Sequence, residues 1–267
     1  MELPRYKPVV LVVLDGLGVP QESNSPFFEA KRDTFEEFEK FFPFTTLQAS
    51  GIAVGLEWGE EGNSEVGHLT MGAGKAVFHH LPRISLSIQD GTFFENEALN
   101  KAAGHVMKPA SKLHIMGLFS SGSVHAFPDH LYGLLEFAKR KGLSKVWLHL
   151  FTDGRDSPLK EAGTFFQELE SRLSLKYPFA KIASLVGRNF AMDRDLHWDK
   201  IGEVYNLLTR GQGEGFKNTV QYLTEEYNRG LSDEFIKPGY LEDEAGQALG
   251  RVEAGDAVIF YNYREDS

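Results

Sequence analysis

The 267-residue chain contains no cysteine, so neither a disulfide framework nor a thiolate metal site can be built from it. It also lacks any excess of positive charge. With 28 Lys and Arg against 38 Asp and Glu, the formal net charge of −10 argues against nucleic acid or an anionic membrane surface as a partner. No hydrophobic run is long enough to span a bilayer. The run Val9 to Leu14 is also too short for a signal-peptide core, ends at Asp15 and is followed by no small-residue cleavage site. Internal repeats and low-complexity tracts are missing as well, and "GQGEG" at 211–215 reads as a mobile loop. These absences leave the expectation of a soluble, unprocessed, cytoplasmic chain. Its length and 42% hydrophobic content suit one large domain or two of moderate size. Against the acidic background, Arg155, Arg188 and Arg194 recur beside glycine or aspartate and Arg264 beside Glu265, a pattern that suits a small anionic ligand.

The N-terminal "PVVLVVLDGLGVP" predicts a buried parallel strand that delivers Asp15 at its C-terminal end, where ligand sites of open α/β sheets gather. A simple Asp-Gly turn is the alternative. A dinucleotide fingerprint is excluded, because Gln21 stands where the third glycine belongs and Pro20 interrupts. The stretch "EGNSEVGHLTMGAG" at 61–74 leaves two readings of Ser64. It can cap a short helix over Glu65 to Met71, or it can be a nucleophile sitting among unpaired N–H donors where a phosphate is welcome. Neither the spacing of a nucleophile elbow nor that of a P-loop is present to decide. "KAVFHHLPRI" reads as a crossing between domains, with His79 and His80 as linker surface.

From about residue 110, apolar "KLHIMGLFS", "KVWLHLFTDG" and "KIASLVGR" alternate with amphipathic helical stretches, which predicts a parallel sheet covered by helices. A helix-like "NTVQYLTEEYNRG", a short apolar "EFIKP" and a last strand "DAVIFYNYRED" follow. Parallel sheets seldom end without a covering helix, so the stop at Ser267 predicts a truncated chain. The polar clusters fall at the predicted C-terminal ends of strands: "FSSGSVHAFPDH", "FTDGRDSP", "GRNFAMDRD" and "NYRED". Each has a structural alternative. His125 can be a loop histidine, Asp156 or Ser157 can cap a helix begun at Pro158, and Asp193 or Asp195 can cap the helix through Trp198. Together they hand arginines, a histidine and acids to one edge, where guanidinium forks suit phosphate and carboxylate and an acid can shuttle a proton.

In order and at fitting separations, "DGLG", "GNSEVGHL", "GAG", "SSGSVHA", "TDGRDSP", "GRNFAMDRD" and "NYRED" resemble the cofactor-independent (2,3-bisphosphoglycerate-independent) phosphoglycerate mutases of the alkaline phosphatase superfamily. The resemblance runs nearly the whole chain. It implies an α/β fold in which residues 1–78 begin a phosphatase-like metal domain, incomplete here, and residues 79–267 form an inserted phosphotransferase domain. It implies interconversion of 3-phosphoglycerate and 2-phosphoglycerate through a phosphoserine at Ser64, with two Mn²⁺ ions in the complete enzyme. Asp15 and Ser64 are then metal ligands. His125, Arg155, Asp156, Arg188, Arg194 and Arg264 bind substrate, with Asp156 also the acid/base. The expected state is a monomer acting on a small molecule, and this chain alone, short of the remaining metal ligands, is expected to be inactive. A second arginine common in the family is replaced by Ser267. The competing expectations are a metal-dependent phosphomonoesterase or phosphopentomutase of the same superfamily, or an inactive fragment that grips phosphoglycerate.

Overall fold

In the computed structural model, which describes residues 7–18, 25–56, 59–107 and 111–265, the alternation after residue 110 becomes a six-stranded sheet of order β4-β5-β3-β2-β1-β6. The strands β1 (Leu113–Leu118), β2 (Val146–Thr152), β3 (Ala180–Gly187) and β6 (Ala257–Phe260) run parallel, in register pairs such as Leu113 with Val146 and with Ala257. The apolar side chains of β1, β2 and β3 are closed off on both faces, which is why the sequence shows continuous runs there and not an alternation. Two short strands extend the sheet: β4 (Glu214–Phe216), and β5 (Gly239–Leu241), which pairs with β3 antiparallel.

The crossovers are α6 (Pro128–Arg140), α7 (Ala162–Lys176) and α9 (Trp198–Arg210), with α8 (Arg188–Ala191) as one turn directly after β3. On α7 the buried Phe166, Leu169 and Leu173 recur at helical spacing and join Ile115, Leu148, Leu150 and Leu185 in the core. The first turn of α7 is held from outside. Buried Asp233 accepts the Glu161 and Ala162 N–H groups at 2.9 Å each, and the Tyr227 hydroxyl donates to its other oxygen. Tyr227 lies on α10 (Thr219–Asn228), so one carboxylate ties α10 to the α7 N-terminus. Three strands are also bridged by a buried polar chain. Ser184 on β3 meets His149 on β2 at 2.7 Å, His149 meets His114 on β1 at 2.9 Å, and His114 meets Asp256 at 3.1 Å.

The chain divides into two compact units, Met1–His79 and His80–Ser267. The second opens with α4 (His80–Asp90) and α5 (Glu97–Val106), the latter capped by Asn96, which accepts from the Ala98 and Leu99 N–H groups at 3.0 and 3.1 Å. His80 is thus the first residue of a helix. The first unit holds α1 (Pro26–Glu29), α2 (Asp33–Phe41), a 3₁₀ turn at Gly51–Val54 and α3 (Ser64–Ala73).

Four local expectations need correction. Val9 to Leu14 is not a buried strand: Val9 is 94% and Val12 72% exposed, and no strand occurs in this unit among the described residues. A strand's N–H and C=O groups need ladder neighbours, and none is present there to receive this one. Residues 214 and 215 of the supposed mobile loop belong to β4. No helix begins at Pro158; α7 starts at Ala162, and its N–H donors go to Asp233. The residue flanking α9 is His197, without a side-chain cap bond. Ser267, Pro20 and Gln21 lie outside the described residues.

Candidate active site

In the first unit, the cap of α3 is Asn63, whose Oδ1 accepts the Val66 N–H at 2.9 Å. Ser64 is the first helical residue, so its hydroxyl is not used for capping. That hydroxyl donates to Asp15 Oδ2 at 2.8 Å. His68, one turn along, brings Nδ1 to 2.8 Å from the Ser64 carbonyl oxygen and 3.2 Å from Oγ. A carbonyl can only accept, so Nδ1 carries the proton, and Ser64 Oγ receives from His68 while donating to Asp15. Gly62 lets the segment before α3 pack against the backbone of residue 49: a Cβ there would lie 2.0 Å from the Ala49 carbonyl oxygen. A cleft of about 600 Å³ opens here, lined by Asp15, Asn63, Ser64 and His68 among others. The oxygen pair Asp15 and Ser64 is exposed and of the hard type that divalent cations such as Mn²⁺ accept.

In the second unit, the loops leaving β1, β2 and β3 meet in one charged cluster. Arg188, first residue after β3 and only 6% exposed, donates from Nη1 to Asp153 Oδ1 at 2.7 Å and to Asp156 Oδ2 at 2.6 Å. Its Nη2 lies 3.0 Å from His125 Nε2. Guanidinium has no lone pair to offer, so His125 Nε2 accepts, and its ring is the Nδ1–H tautomer. His125 Nε2 is also 3.5 Å from Asp156 Oδ2. Asp153 terminates the β2 segment and is buried. Its Oδ1 also takes the Arg155 and Asp156 N–H groups at 3.1 and 3.0 Å, and its Oδ2 takes the Ser120 hydroxyl at 2.8 Å. Burial pushes this carboxyl up, but the Asp156 N–H, the Arg188 fork, Ser120 and the Arg155 N–H outweigh it and hold it below the usual carboxylate range. Burial works against the Arg188 charge, and the Asp156 and Asp153 carboxylates more than restore it.

His125, Asp156 and Arg188 are therefore joined directly. Arg155, Arg194 and Arg264 lie in the segments after β2, β3 and β6, and all three are exposed. The loop bearing Arg194 is held by Asp193, which accepts the Asp195 N–H at 3.2 Å, the His197 N–H at 2.8 Å and the His197 ring at 2.7 Å. Asp193, Asp195 and His197 are also the one group of three metal-type side chains found among the described residues. Arg264 follows Tyr263, whose N–H donates to the His125 carbonyl at 2.9 Å. Sequence reasoning missed Asp153. The signal was present, because "TDG" repeats the strand-end Asp-Gly pattern that singled out Asp15 in "LDG".

A mostly parallel sheet with charged loops at the carboxyl ends of its strands belongs to the class of open α/β sheets whose ligand crevices lie at those ends. Residues 84–267 match the family described as BPG-independent PGAM N-terminus (iPGM_N), and the chain belongs to that family. It is 42% identical over 261 residues to a 2,3-bisphosphoglycerate-independent phosphoglycerate mutase of Clostridium perfringens (strain 13 / Type A), covering 97% of this chain and 51% of that protein. A protein of the same description from Lachnoclostridium phytofermentans is also 42% identical, with 50% of its length covered. Crystal structures of Leishmania mexicana phosphoglycerate mutase at low cobalt concentration superpose with a TM-score of 0.72 at 32% identity, covering 94% of this chain and 48% of that one. The chain thus spans about half the length of the relatives it matches. Among the described residues, no helix is long and apolar enough to cross a membrane.

Proposed function

We propose that the chain carries the phosphoryl-accepting serine and the substrate grip of a phosphoglycerate mutase that works without bisphosphoglycerate. In this reading residues 1–78 are part of a metal domain and residues 79–267 the phosphotransferase domain of a monomeric cytoplasmic enzyme. The observation that carries it is the Ser64 hydroxyl, released from capping by Asn63 and directed at Asp15 Oδ2 at 2.8 Å. Ser64 Oγ takes the phosphoryl group from 3-phosphoglycerate as the C3–O–P linkage breaks, and its proton passes to Asp15. The Asp156 carboxylate takes the proton of the C2 hydroxyl and passes it to the C3 oxygen, and the C2 oxygen then takes the phosphoryl group from Ser64, which recovers its own proton from Asp15, giving 2-phosphoglycerate. His125, Arg155, Arg188, Arg194 and Arg264 hold the glycerate carboxylate and the phosphate during the exchange. A divalent ion, manganese by this reading, would be held in part by Asp15 and Ser64 and would lower the hydroxyl pKa while polarising the phosphoryl oxygens.

Calorimetric titration with 3-phosphoglycerate and with glycerol 3-phosphate tests the reading. The mutase reading requires clear preference for the carboxylate-bearing ligand. Equal affinity for the two would favour a phosphomonoesterase and remove the glycerate grip.

A further inference from the structure

We infer that Asp153, which the mechanism above does not use, is the positioning residue of the cluster: it is the permanent counter-ion of Arg188, and so leaves the Asp156 carboxylate exchangeable. The inference rests on the proposed phosphoglycerate grip for its functional meaning. Arg188 Nη1 is shared by two carboxylates at nearly equal distances, 2.7 Å to Asp153 and 2.6 Å to Asp156. The two differ in everything else. The Asp153 side chain is wholly buried and its oxygens hold four donors, from Arg188, Ser120 and the N–H groups of Arg155 and Asp156. The Asp156 side chain is 26% exposed. A carboxylate that must trade a guanidinium for a substrate hydroxyl cannot leave a buried cation without a partner, because an unpaired buried charge is strongly unfavourable. Asp153 removes that obstacle, and Asp156 can turn away while Arg188 stays neutralised and in place.

The same oxygen sets the backbone. By taking the N–H groups of residues 155 and 156, Asp153 Oδ1 fixes the turn from which both side chains depart. Gly154, with φ +68°, packs so tightly that a Cβ there would lie 2.7 Å from the Glu234 nitrogen, which anchors this turn against the segment after α10. Asp153 therefore acts through Arg188 on His125 as well, since the guanidinium is the group that dictates the His125 tautomer.

The test is nitrogen NMR of the His125 ring in the intact chain, with 3-phosphoglycerate titration as a second arm. The wild-type ring is expected as the pure Nδ1–H tautomer. Asp153→Asn should convert it to a tautomer mixture and weaken 3-phosphoglycerate at least tenfold. Asp156→Asn should leave the tautomer unchanged, because Asp153 still holds Arg188. Ser120→Ala, which frees one Asp153 oxygen without removing charge, should move the ring the same way by less, and it serves if the asparagine variant does not fold. A pure Nδ1–H ring in both the Asp153 and Ser120 variants overturns the inference, as does a tautomer shift in Asp156→Asn alone. If wild type binds no 3-phosphoglycerate, the grip fails, while the ring spectra still decide the role of Asp153.

Discussion

Lowering the pH from 7 to 5 should destabilise the sheet unit by about 4 kcal/mol, through two histidines that fold without their charge. Burial holds the His149 imidazole down at about 3 and the His130 imidazole at about 4, and both residues are almost completely enclosed. An unfolded histidine titrates near 6.5. Both folded values lie below it, so the unfolded chain binds protons first as the pH falls. The stabilisation is complete above that unfolded value and is lost progressively on the way down to the folded ones. Each pKa unit is worth about 1.4 kcal/mol, which makes about 2 kcal/mol per histidine at pH 5. His114, lowered by burial against the opposing pull of Asp256, adds in the same direction. The lowered carboxylates Asp153 and Asp256 lose their contribution only as the pH falls below the unfolded carboxylate value of about 4, outside this window. A domain is stable by only about 5–15 kcal/mol, so the loss is large enough to read from urea denaturation followed by far-UV circular dichroism. The free energy of unfolding should fall near pH 5 with a slope of about two protons per molecule, and His149→Gln should remove one of them. A flat profile between pH 7 and 5, or the full slope in His149→Gln, would refute the reasoning.

Asp233→Ala should cost the same unit about 3 kcal/mol or more, since it strands the Glu161 and Ala162 N–H groups and the Tyr227 hydroxyl; the urea midpoint measures it. Asn63→Ala should loosen α3 by about 1 kcal/mol in amide exchange, while Ser64→Ala should leave those amides nearly unchanged because Ser64 is not the cap. Ser64→Ala should also leave 3-phosphoglycerate affinity within a few-fold of wild type by calorimetry, whereas Arg194→Ala should weaken it by about 1.5 to 3 kcal/mol if a charge-assisted fork is lost.

The strand and helix periods after residue 110 were legible because β1, β2 and β3 are buried on both faces and so read as unbroken apolar runs. The arginines at their ends were legible for the same reason, once the strands fixed where each loop leaves. Local pattern could not separate Asn63 from Ser64 as the cap, since either side chain can take the same N–H groups; only the Asp15 partner, 49 residues away, distinguishes them. Asp153 and Asp156 pose the same problem within one turn. The apolar run at Val9 to Leu14 carries a strand's composition, yet composition names no ladder neighbour, and none is present in its unit among the described residues. The antiparallel β5 and the His114–His149 chain depend on pairing across the sheet, which no period in the sequence records.

The most direct test of the central claim, that the cluster of His125, Asp156 and Arg188 grips phosphoglycerate, is a comparison of 3-phosphoglycerate titrations of the wild-type chain and Arg188→Lys at low and high salt. Lysine keeps the charge and the balance with Asp153 but loses the fork. The account predicts binding by the wild type that weakens as salt rises, and at least a tenfold loss in the folded variant. Equal affinity in the two proteins, or no binding by the wild type at low salt, would contradict it.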